Sequence, residues 1–542
     1  MTFPLSLRSA LATATALAVA GAAWSQETHP ETGETLAEDQ TFNYRQLDQT
    51  PSLDPQLIED VAGSHIARQI YEGLMNQDAE GELVPGVATS YENNEDYTEF
   101  TFTLRDDAVW SNGDPVTAQD FVYGWQRAVD PATASPYSWF VELAAIENAT
   151  QIIAGEMEPT ELGVEAVDDH TLRVTLAEPT PYFADMTTHA TLFPAHRPTI
   201  EEHGDAWTEP QNFVGNGAYT LVEDVTNEYT RLEKSDTYWD ADNVILEEVT
   251  FLVINDENQA LTRYLAGELD HVEPVPAGRF PELQDEYPDQ ATVVPRLCSY
   301  YYTVNQRENG PEALKDPRVR TALALAIDRG VIVDQVLQGG QGPAYFFAHP
   351  ATAGYEAPEI PYETMTQAEK DAEAQRLLEE AGVEDLTVEI TYNTSESHKQ
   401  VATVISQMWK QKLGVEATLA NYEWQTYLQR TDQGQFEIAR AGWCGDYNEA
   451  STFLDLLTSN NGNNDGRFAN EEYDSLLQEA RLADDPLPLY HEAEKLLSEE
   501  MGIIPIYHYT LNFMLQEDIE GWPYENVENN WYAKDLYRVA DG

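Results

Sequence analysis

The chain has 542 residues, with 96 acidic against 29 basic side chains, and its formal net charge at pH 7 is −67. A field of this sign and size repels DNA, RNA and anionic lipid surfaces, which excludes nucleic-acid binding. Hydrophobic residues make up 42% of the chain, so wholesale disorder is excluded as well, and the length allows about three domains. The acidic excess is typical of a protein adapted to high external salt.

The first 25 residues have the features of a secretory signal peptide. Arg8 precedes an apolar run over residues 10–23, and Ala23-Trp24-Ser25 places small residues at the −3 and −1 positions of a cleavage site. A membrane anchor is the alternative interpretation, but the run is shorter than the roughly 20 residues of a spanning helix. No cysteine follows the cleavage site to carry a lipid. We expect export to the periplasm, cleavage near Ser25 and no membrane anchor.

Downstream of the signal peptide, hydrophobic periodicity and helix caps predict a mixed α/β chain without repeats. In the range 83–110 we expect strands, with an alternating pattern over residues 100–104 that buries one face. The expected helices are one over 118–129, one that begins at Asp316-Pro317 and one from the capping box of Thr366 and Glu369 to Gly382.

A strand-helix-strand unit follows, with strands over 386–392 and 415–421 around a helix over 397–413. Such a unit predicts a right-handed parallel crossover. A further strand over 436–441 places Arg440 in phase with apolar residues. Because ligands bind beyond the carboxyl ends of strands in open α/β sheets, we expect the functional site at residues 442–446.

Two cysteines are present, Cys298 and Cys444. In an exported protein, a pair without CxxC spacing indicates one structural disulfide. A metal site with two cysteine ligands is the weaker alternative, because no third cysteine or suitably spaced histidine completes a tetrahedral zinc site.

Enzyme and cofactor motifs are mostly absent from the sequence. There is no GxSxG elbow, phosphate-binding loop or HExxH, and the GxG at 215–217 lacks the third glycine of a dinucleotide fingerprint. The segment 461–472 approaches a calcium-loop pattern but has Asn at its first position, so a solvated or ligand-facing loop is the preferred interpretation. We expect no catalytic residues, no cofactor and no metal.

Four motifs, together with the two cysteines, stand in the order of one known family. They are Ser52-Leu53-Asp54-Pro55, the segment 110–118 (WSNGDPVTA), the Arg-Val-Arg and Ala-Ile-Asp-Arg groups within 318–329, and the segment 439–449 (ARAGWCGDYNE). Over nearly its whole mature length, the chain resembles the periplasmic oligopeptide-binding proteins of ABC importers, which are bacterial extracellular solute-binding proteins of family 5.

The resemblance implies an α/β, two-lobed periplasmic-binding-protein fold of the class II type, with two hinge strands and an additional third domain. The implied divisions are a signal peptide at 1–25, a first lobe at 26–71, 197–297 and 511–542, the extra domain at 72–196, and a second lobe at 298–510.

The resemblance also implies a peptide held by its backbone and its two charged ends. Asp446 takes the position that binds the α-ammonium, with Glu59 as a second acid and Val61 as a backbone contact. Arg440 and His398 take the positions that bind the carboxyl end. The further implied contacts are Tyr137, His189, Trp424, Gly442, Trp443, Cys444, Asn463 and Tyr509.

The sequence departs from the family at three positions where some members carry bases. These positions hold Thr431, Asp432 and Leu337. The lack of positive charge at these positions argues against a strong preference for acidic side chains, against special anchoring of long peptides, and against a carboxylate-rich murein tripeptide as ligand.

The expected function is a monomeric periplasmic receptor that binds short oligopeptides and delivers them to an inner-membrane ABC permease. Within the family, the alternative is a receptor for murein tripeptide, dipeptides or another small ligand. An alternative of another class is a secreted hydrolase or peptidase that uses some of the carboxylates and the 11 histidines.

Overall fold

The computed structural model describes residues 28–540. The predicted signal peptide and its cleavage site lie outside these residues. In the described part of the chain, no helix is both long enough and apolar enough to cross a membrane.

Residues 28–540 form nineteen strands and sixteen α-helices. The strands are β1 (Thr41–Gln46), β2 (Met75–Gln77), β3 (Leu83–Pro85), β4 (Ala88–Asn93), β5 (Glu99–Leu104), β6 (Val164–Asp168), β7 (Thr171–Thr175), β8 (Tyr219–Val225), β9 (Tyr229–Lys234), β10 (Glu248–Val253), β11 (His271–Val272), β12 (Ala291–Val304), β13 (Gly342–Pro343), β14 (Thr387–Asn393), β15 (Glu416–Tyr422), β16 (Ile438–Cys444), β17 (Ile503–Leu515), β18 (Ile519–Glu520) and β19 (Tyr537–Arg538). The helices are α1 (Val61–Ile70), α2 (Ala118–Val129), α3 (Ser138–Leu143), α4 (Ala149–Ile153), α5 (Phe183–Met186), α6 (Arg197–His203), α7 (Glu257–Leu265), α8 (Phe280–Glu286), α9 (Pro317–Leu325), α10 (Arg329–Val331), α11 (Gln367–Ala381), α12 (Glu396–Leu413), α13 (Trp424–Asp432), α14 (Ser451–Leu454), α15 (Glu471–Arg481) and α16 (Leu487–Glu500).

One eleven-stranded sheet organises most of the molecule. Its order is β15-β14-β16-β12-β17-β11-β1-β10-β9-β8, and β13 pairs with β17. The long strands β12 and β17 run antiparallel through the middle of the sheet, with an irregular register between Pro295 and Ser299. We call the strands β11, β1, β10, β9 and β8 the first half-sheet, and β16, β14 and β15 the second half-sheet. The two long strands therefore connect the half-sheets.

A separate four-stranded antiparallel sheet, β4-β5-β7-β6, lies within the range predicted for the extra domain. Strand β5 buries Phe100, Phe102 and Leu104, which confirms the alternation read from the sequence. Helix α2 has the predicted bounds because a capping box of Thr117 and Asp120 determines its first turn.

The predicted strand-helix-strand unit is confirmed as β14-α12-β15, with parallel pairing of its strands. Helix α12 ends at Gly414, whose φ of +72° is accessible to glycine at low cost. The capping box of α11 and its end at Gly382 are also as predicted. Helix α9 begins after Asp316, whose side chain accepts from the Arg318 N–H.

The prediction for the strand that carries Arg440 is wrong in its bounds. Strand β16 ends at Cys444, three residues later than expected, because antiparallel pairing with β12 continues to the Cys298–Cys444 pair. Gly442 and Trp443 therefore lie within the strand, and Asp446 lies just beyond its end. The predicted disulfide is present between the paired Cys298 and Cys444, and the described residues contain no free cysteine.

Candidate ligand cavity between the half-sheets

A cavity of about 350 Å³ lies between the two half-sheets. Twelve of the thirteen predicted contact residues line it: Glu59, Val61, Tyr137, His189, His398, Trp424, Arg440, Gly442, Trp443, Cys444, Asp446 and Tyr509. Asn463 is the exception. Its N–H donates to Asn461 Oδ1 at 2.9 Å, so this loop folds on itself instead of reaching the cavity.

The lining residues come from many separate segments of the chain. Strand β16 and the turn after it carry Arg440 and Asp446, while the start of α1 carries Val61. Tyr137 and His189 precede the short helices of the region with the four-stranded sheet, and their rings stack 5.1 Å apart. The wall of the cavity therefore combines segments that are distant in sequence.

Asp446 forms an acidic pole at one end of the cavity. Its N–H donates to Thr452 Oγ1 at 2.9 Å, and its Oδ1 lies 3.5 Å from His189 Nε2. Its Oδ2 is buried and has no hydrogen-bond partner among residues 28–540. Burial raises the pKa of Asp446 well above its usual range, because the carboxylate loses solvation and gains no compensating ion pair. This oxygen is an open acceptor for a cationic ligand group.

His189 does not supply that cation. Its Nδ1 accepts the Thr191 N–H at 3.3 Å, so the proton of the neutral ring resides on Nε2, which faces Asp446. Burial lowers the pKa of His189 to about 3, so the imidazole is neutral near pH 7. It orients the Asp446 carboxylate without neutralising it.

Arg440 forms a basic pole within the second half-sheet. Its Nη2 donates to Tyr509 Oη at 2.7 Å, and its guanidinium carbon lies 5.0 Å from the centroid of the Tyr300 ring. Its Nε has no partner among the described residues, and none of their carboxylates forms an ion pair with it. A planar, permanently charged group in this setting can bind a carboxylate in bidentate geometry.

His398 lies beside Arg440, in the first turn of α12. Its Nδ1 is buried without a partner, and its ring lies 5.6 Å from that of Tyr300. Burial, with a smaller contribution from the Arg440 charge, lowers the pKa of His398 well below its usual range. The family resemblance gives this position to recognition of the carboxyl end. The imidazole offers a hydrogen bond from a neutral ring and not a second positive charge.

Glu59 lies on the cavity wall near several other acids. Burial, together with smaller contributions from the charges of Asp60, Asp432 and Asp465, raises its pKa to about 7. Glu59 is therefore partly protonated near pH 7, and it becomes fully ionised only above neutrality or beside a cation.

Two sets of hydrogen bonds, which we call the closure contacts, cross the cleft. Trp424 Nε1 of α13 donates to Asp60 Oδ2 at 2.8 Å. The hydroxyls of Ser395 and Ser397, at the start of α12, donate to the Glu257 carboxylate at 3.0 and 2.7 Å. Glu257 begins α7, which packs beside the first half-sheet. The closure contacts join helices from the two sides of the cavity.

Several charged lining residues were missed by the sequence analysis, including Arg45, Arg68, Arg296 and Glu528. Arg68 could have been found, because it lies two helical turns after Val61 and therefore on the same face of α1. The other three carry no such local signal, since elements distant in sequence bring them to the cavity.

The described residues contain no group of three or more His, Cys, Asp or Glu side chains that could hold a metal ion. In the segment that approaches a calcium-loop pattern, Asn461 donates to Asp455 O, and Arg467 donates to Asn461 O. The polar groups of this loop thus form hydrogen bonds within residues 455–467.

Comparison with known proteins places these features in one family. The family model described as bacterial extracellular solute-binding proteins, family 5 (middle) matches residues 82–465. The chain is 43% identical over 538 residues to the periplasmic murein peptide-binding protein MppA of Escherichia coli, which covers 97% of this chain and 98% of that protein. It is 41% identical to the periplasmic oligopeptide-binding protein OppA of Salmonella typhimurium, with 97% of each chain covered.

Solved structures of relatives have the same fold, and they also indicate whether this conformation is the open one. The structure of E. coli MppA has a TM-score of 0.91, with 93% of this chain and 100% of that chain covered at 42% identity. Haemophilus influenzae OppA, in complex with the peptide RPPGFSPFR, has a TM-score of 0.90 at 38% identity, with the same coverage. The unliganded open form of MppA gives a TM-score of 0.67. The conformation described here therefore differs from the open one, in agreement with the closure contacts. The predicted fold class is confirmed, and the chain belongs to the bacterial extracellular solute-binding proteins of family 5.

Proposed function

We propose that the protein is a periplasmic receptor that binds short oligopeptides by their two charged ends and delivers them to an inner-membrane ABC permease. One observation carries the proposal: one cavity holds a buried carboxylate, Asp446, and a guanidinium, Arg440, and neither has a partner of opposite charge among the described residues. A zwitterionic chain supplies the counter-charge for both. The names of the relatives support the same class of ligand.

In this proposal, the open Oδ2 of Asp446 accepts hydrogen bonds from the peptide α-ammonium, and Glu59 adds a second acidic group nearby. Arg440 and neutral His398 bind the terminal carboxylate. Recognition through the ends and the backbone leaves side chains in hydrated space, so the receptor accepts many sequences.

The proposed lobes meet at the two long strands. The boundaries expected from the sequence, at 297/298 and 510/511, fall within β12 and β17. The irregular register between Pro295 and Ser299 lies beside the first boundary and supports a hinge there. Opening would then move the first half-sheet away from the second and break the closure contacts.

Titration calorimetry of the ligand-free mature protein tests the proposal. An alanine tripeptide should bind, and its N-acetylated and C-amidated forms should each bind at least about tenfold more weakly, because each lacks one terminal charge. Equal affinity of all three peptides would contradict recognition through the two ends.

Two further measurements separate the alternatives. Mass spectrometry of a peptide mixture after incubation should recover every peptide intact, whereas cleavage products would favour the hydrolase. A peptide length series should favour three to five residues, because Leu337 supplies no charge in the cavity wall. Ten-residue peptides that bind as well as tripeptides would contradict that length limit.

A further inference from the structure

Arg68 is a buried cation in the cavity wall, and its guanidinium has no hydrogen-bond or ion-pair partner among the described residues. The residue is 7% exposed and lines the cavity. Its Nε is shielded from solvent and has no partner. No hydrogen bond or ion pair within residues 28–540 involves its guanidinium.

The other cavity arginines differ in this respect. Arg45 and Arg296 both contact Glu273, and Arg440 donates to a tyrosine hydroxyl. Each of them therefore has at least one protein partner, whereas Arg68 has none among the described residues. A buried guanidinium without a partner is unfavourable unless a ligand supplies the missing acceptor.

The position of Arg68 assigns it to the acidic pole. Its charge is the main attraction that opposes the raised pKa of Asp446, and after burial it is the cause of the lowered pKa of His189. Glu528 lies in the same wall and leaves its Oε1 without a partner among the described residues. Neither Asp446 nor Glu528 comes within 4.0 Å of the Arg68 guanidinium. A ligand group can therefore reach Arg68 without displacing a protein contact.

We propose that Arg68 binds a carboxylate carried by the first or second residue of the peptide, so that the receptor prefers ligands with an acidic group near the amino end. This inference rests on the proposed function, because Asp446 must hold the α-ammonium to bring that carboxylate near Arg68. The fork of guanidinium donors suits a carboxylate in bidentate geometry. Thr431 and Asp432, whose lack of positive charge speaks against a preference for acidic side chains, do not line the cavity.

Calorimetry with matched tetrapeptides tests this subsite. The probes are tetra-alanine, peptides with Glu at position 1 or 2, and their Gln counterparts. In the wild type, at least one Glu peptide should bind about tenfold more tightly than its Gln counterpart. Arg68→Gln should remove that ratio, so that each Glu peptide binds the variant no more tightly than its Gln counterpart. Arg68→Lys should retain part of the ratio because it keeps the charge.

Arg376→Gln, on the exposed face of α11, is the matched control and should leave every affinity unchanged. Thermal melting verifies that each variant is folded. Equal affinity of Glu and Gln peptides in the wild type would overturn the inference. An equal loss for all peptides in Arg68→Gln would also overturn it, because Arg68 would then act only as electrostatic support for Asp446. Failure of tetra-alanine to bind the wild type would instead refute the proposed function, and this inference with it.

Discussion

The two poles of the cavity are built in different ways. The groups around Arg440 belong to the second half-sheet, to the long strands beside it, and to helices α12 and α13. The pole at Asp446 also needs His189 and Tyr137, from the region with the four-stranded sheet, and Arg68 from α1. The basic pole can therefore form within one side of the molecule, whereas the acidic pole is complete only when the separate parts meet. Closure should affect recognition of the amino end more than recognition of the carboxyl end.

The largest loss of peptide affinity is expected when the carboxylate of the acidic pole is removed. Asp446→Asn should weaken tripeptide binding by about 2 to 5 kcal/mol, because the α-ammonium then lies in a buried site without a counter-charge. Calorimetry should also show that N-acetylation no longer matters to the variant. Asp106→Asn, at an exposed position, is the control. Unchanged affinity in Asp446→Asn would show that the amino end binds elsewhere.

The Cys298–Cys444 disulfide lies between the two poles, because Cys444 ends the strand that carries Arg440 and Asp446 follows just beyond it. The Cys298→Ser/Cys444→Ser variant should lose about 2 to 4 kcal/mol of unfolding free energy, because the bond closes a long loop. Asp446 lies two residues beyond Cys444, whereas Arg440 lies within the paired part of β16. The variant should therefore lose discrimination against N-acetylated peptides before discrimination against amidated ones. Thiol labelling of denatured, unreduced wild-type protein should find no free thiol.

Arg440→Gln should cost about 1.5 to 3 kcal/mol of affinity for free-acid peptides, the range of a charged hydrogen bond. Amidated peptides should bind the variant and the wild type alike, which distinguishes loss of recognition from misfolding. Arg440→Lys should restore only part of the affinity, because an ammonium lacks the bidentate fork. A uniform loss for free-acid and amidated peptides would contradict the assignment.

Loss of one of the closure contacts should reduce peptide affinity by a smaller amount. Glu257→Gln replaces a carboxylate that accepts from Ser395 and Ser397, and it should weaken binding by about 1 kcal/mol through faster dissociation. Stopped-flow kinetics should show an unchanged association rate. Glu268→Gln, at an exposed position just after α7, is the control. Slower association without a change in dissociation would argue that these bonds form before closure.

Salt concentration should change the stability of the whole protein and should therefore affect both poles alike. With a net charge of −67, self-repulsion extends across much of the molecule when the Debye length is about 30 Å and only between neighbours when it is about 3 Å. The melting temperature of the ligand-free protein should therefore rise from dilute buffer to about 1 M salt. A neutral osmolyte serves as the control. A melting temperature that stays constant or falls would argue against adaptation to salinity.

The elements predicted most accurately are those with local determinants. Helix α2 has its expected bounds because Thr117 and Asp120 cap it, and α11 and α12 end at Gly382 and Gly414, which accept positive φ values. Strand β16 extends beyond its predicted end because its length depends on pairing with β12, whose sequence lies about 140 residues earlier. A local pattern contains no information about such a partner.

The sequence by itself determined the caps, the alternation of strands and helices, the two cysteines and, through the family resemblance, twelve predicted contact residues that line one cavity. Only the tertiary structure decided the charge state of His398, the open Oδ2 of Asp446 and the unpartnered guanidinium of Arg68. Each of these properties depends on which atoms lie opposite a side chain and how much water remains. Those atoms come from segments hundreds of residues apart, so they become neighbours only when the chain folds.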